Sequence, residues 1–343
     1  MAYFEKRRFR IRIESQGVVG FLRYFGYKSL CFSKTMKIIL MISEFNRFFS
    51  SRTLASTYKP TFLKCLLDIG DCKQDEGKKW VTEGNTFSID LNFVAARFLR
   101  YYWPLLFKFK LRQEATEKPI VVYKILKEYE QKIGVKSTPT RSHMCSDEFI
   151  QLRKDTIKKG IRPQVLKKLL NDCNIYTIQK NSILLKKEIV DFMRDNKKTL
   201  ESALNHVIAQ YLEGINSAPN ISRKLEERLP RTTLKNIDFD EIKSMQNHVC
   251  FYCEKKPTKF VQEHFVPWNF IYSTSNFNIV ASCVECNSSK NDKLATAEYV
   301  KKILQRNTKL KKLQYGYSSE YFKNLYDSCL RDYHGVKREL WHP

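Results

Sequence analysis

Two closely spaced cysteine pairs in the last third of the chain constrain its fold more than any other feature. Cys250 and Cys253 form one pair, and Cys283 and Cys286 form the other. A two-residue gap lets both thiolates of a tight turn reach one zinc ion, and two such pairs supply the four soft ligands of a closed tetrahedral site. We therefore predict a structural Zn²⁺ site that fixes a region too small and polar to hold its shape by apolar burial alone.

Chemically active side chains lie between the cysteine pairs and just after them. Glu263, His264 and Asn278 lie between the pairs, and Asn287 follows the last cysteine directly. This arrangement resembles the HNH motif of the zinc-braced ββα-metal (His-Me) finger endonucleases, with His264 as the first H, Asn278 as the N and Asn287 in the last position. The resemblance covers about residues 245 to 305 and implies an endonuclease.

The resemblance also implies a role for each residue. His264 becomes the general base that takes a proton from water, a role that imidazole can fill near neutral pH. Glu263 and Asn287 become the ligands of one catalytic Mg²⁺ or Mn²⁺, since hard divalent ions prefer oxygen donors. Asn278 becomes the residue that fastens the loop and so aims His264. Glu263 departs from the usual pattern, because Asp is commoner at its position.

Two lysines follow Asn287 on the same predicted helix. Lys290 and Lys293 are candidate nucleic-acid-binding residues that would contact phosphates. A solvated basic face explains them equally well.

The charge of the chain agrees with a nucleic-acid partner. The sequence carries 61 Lys and Arg residues against 36 Asp and Glu residues, which gives a formal net charge of +25. A surface this positive attracts polyanions. Because an AT-rich coding sequence also raises the lysine content, the prediction of DNA as the partner depends on the motif rather than on the charge.

The predicted function is therefore metal-dependent DNA cleavage. YKPTFLKCLLDIG (58–70) and FLRYYWPLL (98–106) resemble the helical regions of stand-alone HNH proteins from bacterial restriction or defence loci. That resemblance implies restriction or antiviral defence, with partner proteins from the same locus. Two alternatives remain open: a zinc-finger protein that binds nucleic acid without cutting it, and an HNH nuclease that acts on RNA.

The remaining cysteines and the apolar runs indicate the compartment. No other cysteines show a paired spacing, which suits a reducing cytosol. No apolar run approaches the roughly 18 to 20 residues that a membrane span requires. We expect a cytoplasmic protein without a membrane partner. Residues 1–35 are predicted to be a basic arm, or sequence before a natural start at Met36 or Met41.

The rest of the chain predicts a mainly α fold with a small α+β element. We expect a helical domain at 36–140, a helical region with a hairpin at 141–240, and the HNH domain with C-terminal helices at 241–343. Thr86–Asp90 is predicted to be a strand that ends in a helix cap. The aromatic cluster at 93–107 is predicted to be core, with a homodimer interface and a base-stacking surface as alternatives. The hairpin around Lys180 allows a winged arrangement that enters a DNA groove, with a plain scaffold as the alternative.

Overall fold

A computed structural model describes residues 29–50, 54–71, 80–116, 118–134, 146–226, 239–310, 317–331 and 339–343. The predicted basic arm lies outside the described residues up to position 28, and its last residues belong to the first helix. Residues 135–145, around the predicted division at position 140, also lie outside them.

The chain up to Glu226 forms a helical region with one small sheet. Its helices are α1 (Ser29–Ser50), α2 (Tyr58–Leu67), α3 (Leu91–Trp103), α4 (Val121–Ile133), α5 (Asp147–Asp155), α6 (Lys187–Asp195), α7 (Lys197–Ile215) and α8 (Ile221–Glu226). Its strands are β1 (Trp80–Glu83), β2 (Thr86–Asp90), β3 (Thr177–Ile178) and β4 (Ser182–Lys186). Turns of 3-10 helix occupy Asp68–Asp71 and Leu169–Asn171, and π-helical turns occupy Pro104–Lys108 and Thr156–Leu166.

Two hairpins that are far apart in sequence form one antiparallel sheet. The strand order is β1-β2-β4-β3, and Thr86 of β2 lies opposite Lys186 of β4. Asp90 ends β2 and caps α3, because its side chain accepts a 2.7 Å hydrogen bond from the Asn92 N–H. The predicted strand and its cap are therefore confirmed. The hairpin around Lys180 belongs to this sheet, because β4 pairs with β2. Its entry into a DNA groove stays a prediction.

One hydrophobic core fills the helical region and runs from Phe45 to Leu204. The predicted aromatic cluster lies inside this core. The rings of Tyr58 and Phe98 stack 5.8 Å apart, and those of Phe98 and Tyr102 are 4.8 Å apart. These rings are buried within the chain itself, so the core interpretation of the cluster is the one that the packing supports.

The predicted division at position 140 does not separate two hydrophobic cores. Phe149 of α5 contacts Tyr129 of α4, with ring centroids 6.2 Å apart, and both belong to the same core. The β2–β4 pairing adds a second connection across that position. The residues before and after 140 therefore pack as one unit.

The described chain from Phe239 onward forms a smaller α+β region, which we call the finger. Its helices are α9 (Phe239–Met245), α10 (Trp268–Ile271), α11 (Val284–Lys290), α12 (Ala297–Asn307) and α13 (Ser319–Leu330). Its strands are β5 (Phe260–His264), β6 (Ile279–Cys283), β7 (Leu294–Ala295) and β8 (Leu340–Trp341).

The strands β5 and β6 are antiparallel, and their register runs from Phe260 opposite Cys283 to His264 opposite Ile279. Helix α11 begins directly after β6, which gives the β-β-α order that the sequence predicts. Phe265, just after β5, packs on Phe322 of α13 at 5.8 Å between ring centroids. The protein is thus mainly helical with small sheets, in agreement with the predicted fold class.

The helical region and the finger pack against each other. Phe109 and Tyr272 meet edge to face with their ring centroids 5.0 Å apart. Lys224 of α8 is fully buried and donates to the backbone oxygens of Pro219 and Phe270 at 2.8 and 2.6 Å. Because α8 reaches the loop after β5, the segment before the predicted boundary at 241 helps to hold the finger.

Within the residues that the structure describes, no helix combines the length and the apolar composition required to cross a membrane.

Candidate functional site

The four paired cysteines converge on one point in the finger. The sulfur atoms of Cys250, Cys253, Cys283 and Cys286 all lie within 4.8 Å of one another. The first pair occupies the turn after α9, and the second joins β6 to α11. Cys283 also caps α11, since its sulfur accepts a hydrogen bond from the Cys286 N–H at 3.4 Å. The predicted cluster of four ligands is therefore present.

The thiols of this cluster titrate differently. Burial raises the pKa of Cys250, but backbone N–H groups, that of Cys283 first among them, outweigh the burial and lower the pKa to about 7. Burial raises the pKa of Cys283 to about 11. Four thiolates so close together repel one another strongly, so a cation is required for all four to ionise. A soft tetrahedral set of this kind fits Zn²⁺.

A glutamine side chain secures the strand that carries the second cysteine pair. Gln246 Nε2 donates to the Ala281 carbonyl at 2.8 Å, and its Oε1 accepts from the Ala281 N–H at 3.0 Å. A neighbouring β-strand would form the same two hydrogen bonds with the Ala281 backbone. Here the Gln246 side chain, just after α9, forms them. The sequence contains no signal for this role, because Gln246 lies in a polar stretch that reads as a connection.

The end of β5 carries a buried ion pair. Lys290 Nζ lies 2.5 Å from Glu263 Oε1 and donates to the His264 carbonyl at 3.0 Å. The side chain of Lys290 is fully buried, and that of Glu263 is 9% exposed. A buried charge is tolerated only when it is paired and hydrogen-bonded, and this lysine meets both conditions. The pair ties α11 to the strand end beside His264.

This pair corrects the prediction for Lys290 and changes that for Glu263. Lys290 does not contact phosphates in this arrangement, because its ammonium points into the protein and not toward solvent. One carboxylate oxygen of Glu263 already accepts a hydrogen bond from Lys290. A metal ion would therefore have to share the carboxylate with the Lys290 ammonium or displace that ammonium. The sequence shows both charges, but their separation of 27 positions conceals the pairing.

The loop after His264 is fixed by Asn278. The Asn278 side chain accepts from the Val266 N–H and donates to the Val266 carbonyl, both at 2.9 Å. Asn278 is fully buried, so both bonds are shielded from water. His264 itself is half-buried, and its Nε2 lies 3.4 Å from the hydroxyl of Thr274. The structure therefore gives Asn278 the fastening position that the resemblance implies.

Asn287 and Lys293 lie at the more open side of the site. Asn287 is half-exposed and precedes Lys290 by three positions on α11. Residues three apart share a helix face, so Asn287 lies on the side of α11 that meets the end of β5. Lys293 is 36% exposed and pairs with Glu339 at 2.8 Å. Its ammonium remains within reach of solvent.

A buried arginine supports the same region from α12. Arg306 Nη1 donates to the Ile279 carbonyl at 2.7 Å, and its Nη2 donates to the Phe277 carbonyl at 3.3 Å. Burial lowers the pKa of this guanidinium to about 10. These bonds hold the segment on either side of Asn278. Sequence reasoning missed this role. Arg306 lies three positions after the apolar Ile303, and residues three apart share a helix face, so this spacing could have indicated that the arginine faces the core.

We expect Lys290→Met to destabilise the finger strongly. The substitution removes one partner and leaves the Glu263 carboxylate buried without compensation, which typically costs about 3–5 kcal/mol. The midpoint of urea unfolding, followed by circular dichroism, measures the effect. Lys293→Met is the matched control, since its pair is exposed and little change is expected.

The double variant Glu263→Leu/Lys290→Met should recover much of that loss, because it replaces both charged partners by apolar groups. If Lys290→Met unfolds at the same urea concentration as Lys293→Met, the buried pair is not a determinant of the finger's stability.

Comparison with known proteins adds one finding. A family model described as a domain of unknown function (DUF8808) matches residues 50–175. The matched stretch lies within the helical region and includes α2 to α5. No curated protein and no solved structure matches the chain. Function is therefore inferred from the motif and from the geometry of the finger.

Proposed function

We propose that this protein is a metal-dependent endonuclease that hydrolyses phosphodiester bonds in DNA. One observation carries the proposal. In a single β-β-α unit beside the four-cysteine cluster, His264 ends the first strand, Asn278 bonds to the loop that follows it, and Asn287 precedes Lys290 by three positions on the helix. This is the arrangement of side chains that the HNH resemblance implies.

In this proposal His264 is the general base. Hydrolysis needs a water molecule that loses a proton as it attacks phosphorus in line with the departing oxygen. His264 is half-buried, and its backbone is held by β6 on one side and by Lys290 on the other. With the backbone held in this way and Nε2 lying 3.4 Å from the Thr274 hydroxyl, the ring would accept the proton of an attacking water.

A divalent ion would supply positive charge for the phosphate and the departing oxygen when it is bound. The donors at the open side fit a hard cation, because Asn287 offers an amide oxygen and the site faces water that can complete the coordination. Asn287 would hold this ion. Glu263 would join by sharing its carboxylate with Lys290 or by giving up that bond, so its part as a ligand is the weaker of the two assignments.

The net charge of +25 and the basic pI of about 9.6 support a polyanionic substrate. Restriction or antiviral defence is the biological role that the sequence resemblance favours. The Glu263–Lys290 pair favours one competing function, a zinc module that binds nucleic acid without cutting it, since the pair occupies one of the two proposed metal ligands.

The deciding experiment incubates purified protein with supercoiled plasmid, linear phage DNA and a folded RNA. Each reaction contains Mg²⁺ or Mn²⁺, and a parallel series contains EDTA. We expect nicked or linear plasmid only in the reactions with metal, because the chemistry needs a cation near the phosphate. Binding of DNA without any cleavage in either metal would support the non-catalytic zinc module. Cleavage of the RNA alone would change the substrate class but keep the chemistry.

A further inference from the structure

Two lysines of the helical region reach the finger close to the proposed active site. The Lys108 ammonium lies over three aromatic rings, at 4.9 Å from the centroid of Phe109, 5.9 Å from that of Trp268 and 5.8 Å from that of Tyr272. Lys110 Nζ lies 3.7 Å from Asp292 Oδ2. Phe109 belongs to the helical region, and the other three partners belong to the finger.

The finger residues that these lysines contact adjoin the residues of the proposed site. Trp268 follows His264 by four positions and begins α10. Asp292 follows Asn287 by five positions, just beyond the end of α11. Asn269 links the two segments, because its side-chain amide donates to Asp292 Oδ2 at 3.3 Å. Both lysines therefore stand at the rim of the site, where the loop after β5 meets the end of α11.

Lys108 is a positioned cation that has no carboxylate partner in the part of the chain that the structure describes. Its side chain is exposed, and among the described residues no carboxylate lies within ion-pairing distance of its ammonium. Aromatic faces attract a cation but do not neutralise it. The three rings hold the ammonium in one place while its charge stays available to solvent. A backbone phosphate is the type of ligand whose negative charge would pair with this cation.

Two features fix the position of Lys110: its backbone conformation and its ion pair with Asp292. Its φ is +53°, in the left-handed region that residues other than glycine rarely adopt. Phe109 next to it is buried in the cluster shared by the helical region and the finger. The turn that carries both lysines is therefore anchored to the finger. Lys110 already has an acidic neighbour, so Lys108 is the stronger phosphate ligand of the two.

We propose that Lys108, assisted by Lys110, forms a subsite for a backbone phosphate of the nucleic-acid strand that occupies the proposed active site. This inference rests on the proposed function and extends it. The helical region contributes directly to the substrate-binding face at a defined place, and the finger alone has an incomplete face. The subsite binds the sugar-phosphate backbone and so carries no base preference.

The test measures binding of a fluorescein-labelled DNA duplex to full-length protein in the His264→Ala background, across a salt series. Lys108→Gln should weaken binding by about threefold to tenfold near 0.1 M salt, and should lower the slope of log affinity against log salt by about 0.9, the value for one phosphate contact. Lys108→Arg should bind as the parent does, because it keeps the charge over the rings.

Lys158→Gln is the matched control. Lys158 is exposed on the π-helical turn Thr156–Leu166, which packs on α3 and α4 within the helical region. The control makes the same change in net charge, and we expect it to leave the salt slope unchanged. Thermal melting of all variants establishes that Lys108→Gln keeps the fold.

The outcomes separate this inference from the proposed function. If the protein with His264 intact cleaves DNA and Lys108→Gln binds like Lys158→Gln, the subsite is wrong and the nuclease stands. If the intact protein never cleaves but Lys108→Gln still loses affinity and slope, the subsite stands on a non-catalytic nucleic-acid-binding protein. If the protein neither binds nor cleaves nucleic acid, both proposals are wrong.

Discussion

His264→Ala is expected to lower the rate of DNA cleavage by about 10² to 10⁴-fold, the usual cost of removing a general base. Binding of the duplex should stay unchanged, because the imidazole acts on water and is not needed to hold phosphates. Asn278, which fastens the loop, and the ion pair between Lys290 and Glu263 do not involve the ring, so the fold should also persist.

The measurement is the single-turnover rate with saturating protein, alongside binding by anisotropy. His206→Ala provides the control, since His206 is exposed on α7 in the helical region. A His264→Ala variant that cleaves at the rate of the His206→Ala variant would place the general base elsewhere in the molecule.

Purified protein is expected to contain about one zinc per chain, and Cys253→Ser should lose it together with the structure of the finger. Structural zinc sites contribute about 10–16 kcal/mol of binding free energy in small zinc-finger peptides, and that energy is also folding energy. Cys253 lies 3.9 Å, sulfur to sulfur, from Cys283 and is less buried than the other three ligands. Its replacement therefore removes a ligand with little direct effect on apolar packing.

The helical region should survive the loss of zinc, because its core from Phe45 to Leu204 contains no residue of the cysteine cluster. Zinc content by mass spectrometry, with limited proteolysis, tests both statements. Cys329→Ala is the control, since Cys329 is buried in α13 outside the cluster and the variant should keep its zinc. Active protein that contains no zinc would contradict the prediction.

The features that sequence reasoning predicted well are those that a short segment determines by itself. The cap at Asp90, whose side chain accepts from the Asn92 N–H at 2.7 Å, depends on a neighbour two residues away. The cysteine pairs depend on a spacing of the same kind. Such features follow from local geometry, so the sequence pattern alone is enough to locate them.

The features that sequence reasoning missed join segments that are distant in the chain. The register of β2 on β4 connects positions about a hundred residues apart, and either hairpin alone is consistent with several pairings. The buried position of Lys290 could not be predicted for the same reason. A lysine after a nuclease motif is expected in solvent, and only the packing of α11 on β5 reveals that its partner is Glu263.

The pairing of β2 with β4 also limits how the helical region can be dissected. The family match ends at residue 175, two residues before β3 begins at Thr177. A fragment cut to the matched residues would keep β2 but lose β4, so the backbone N–H and C=O groups of β2 that face β4 would be left unpaired. Unpaired strand edges recruit other chains. Such a fragment is therefore expected to self-associate, and the smallest well-behaved unit must extend at least through Lys186.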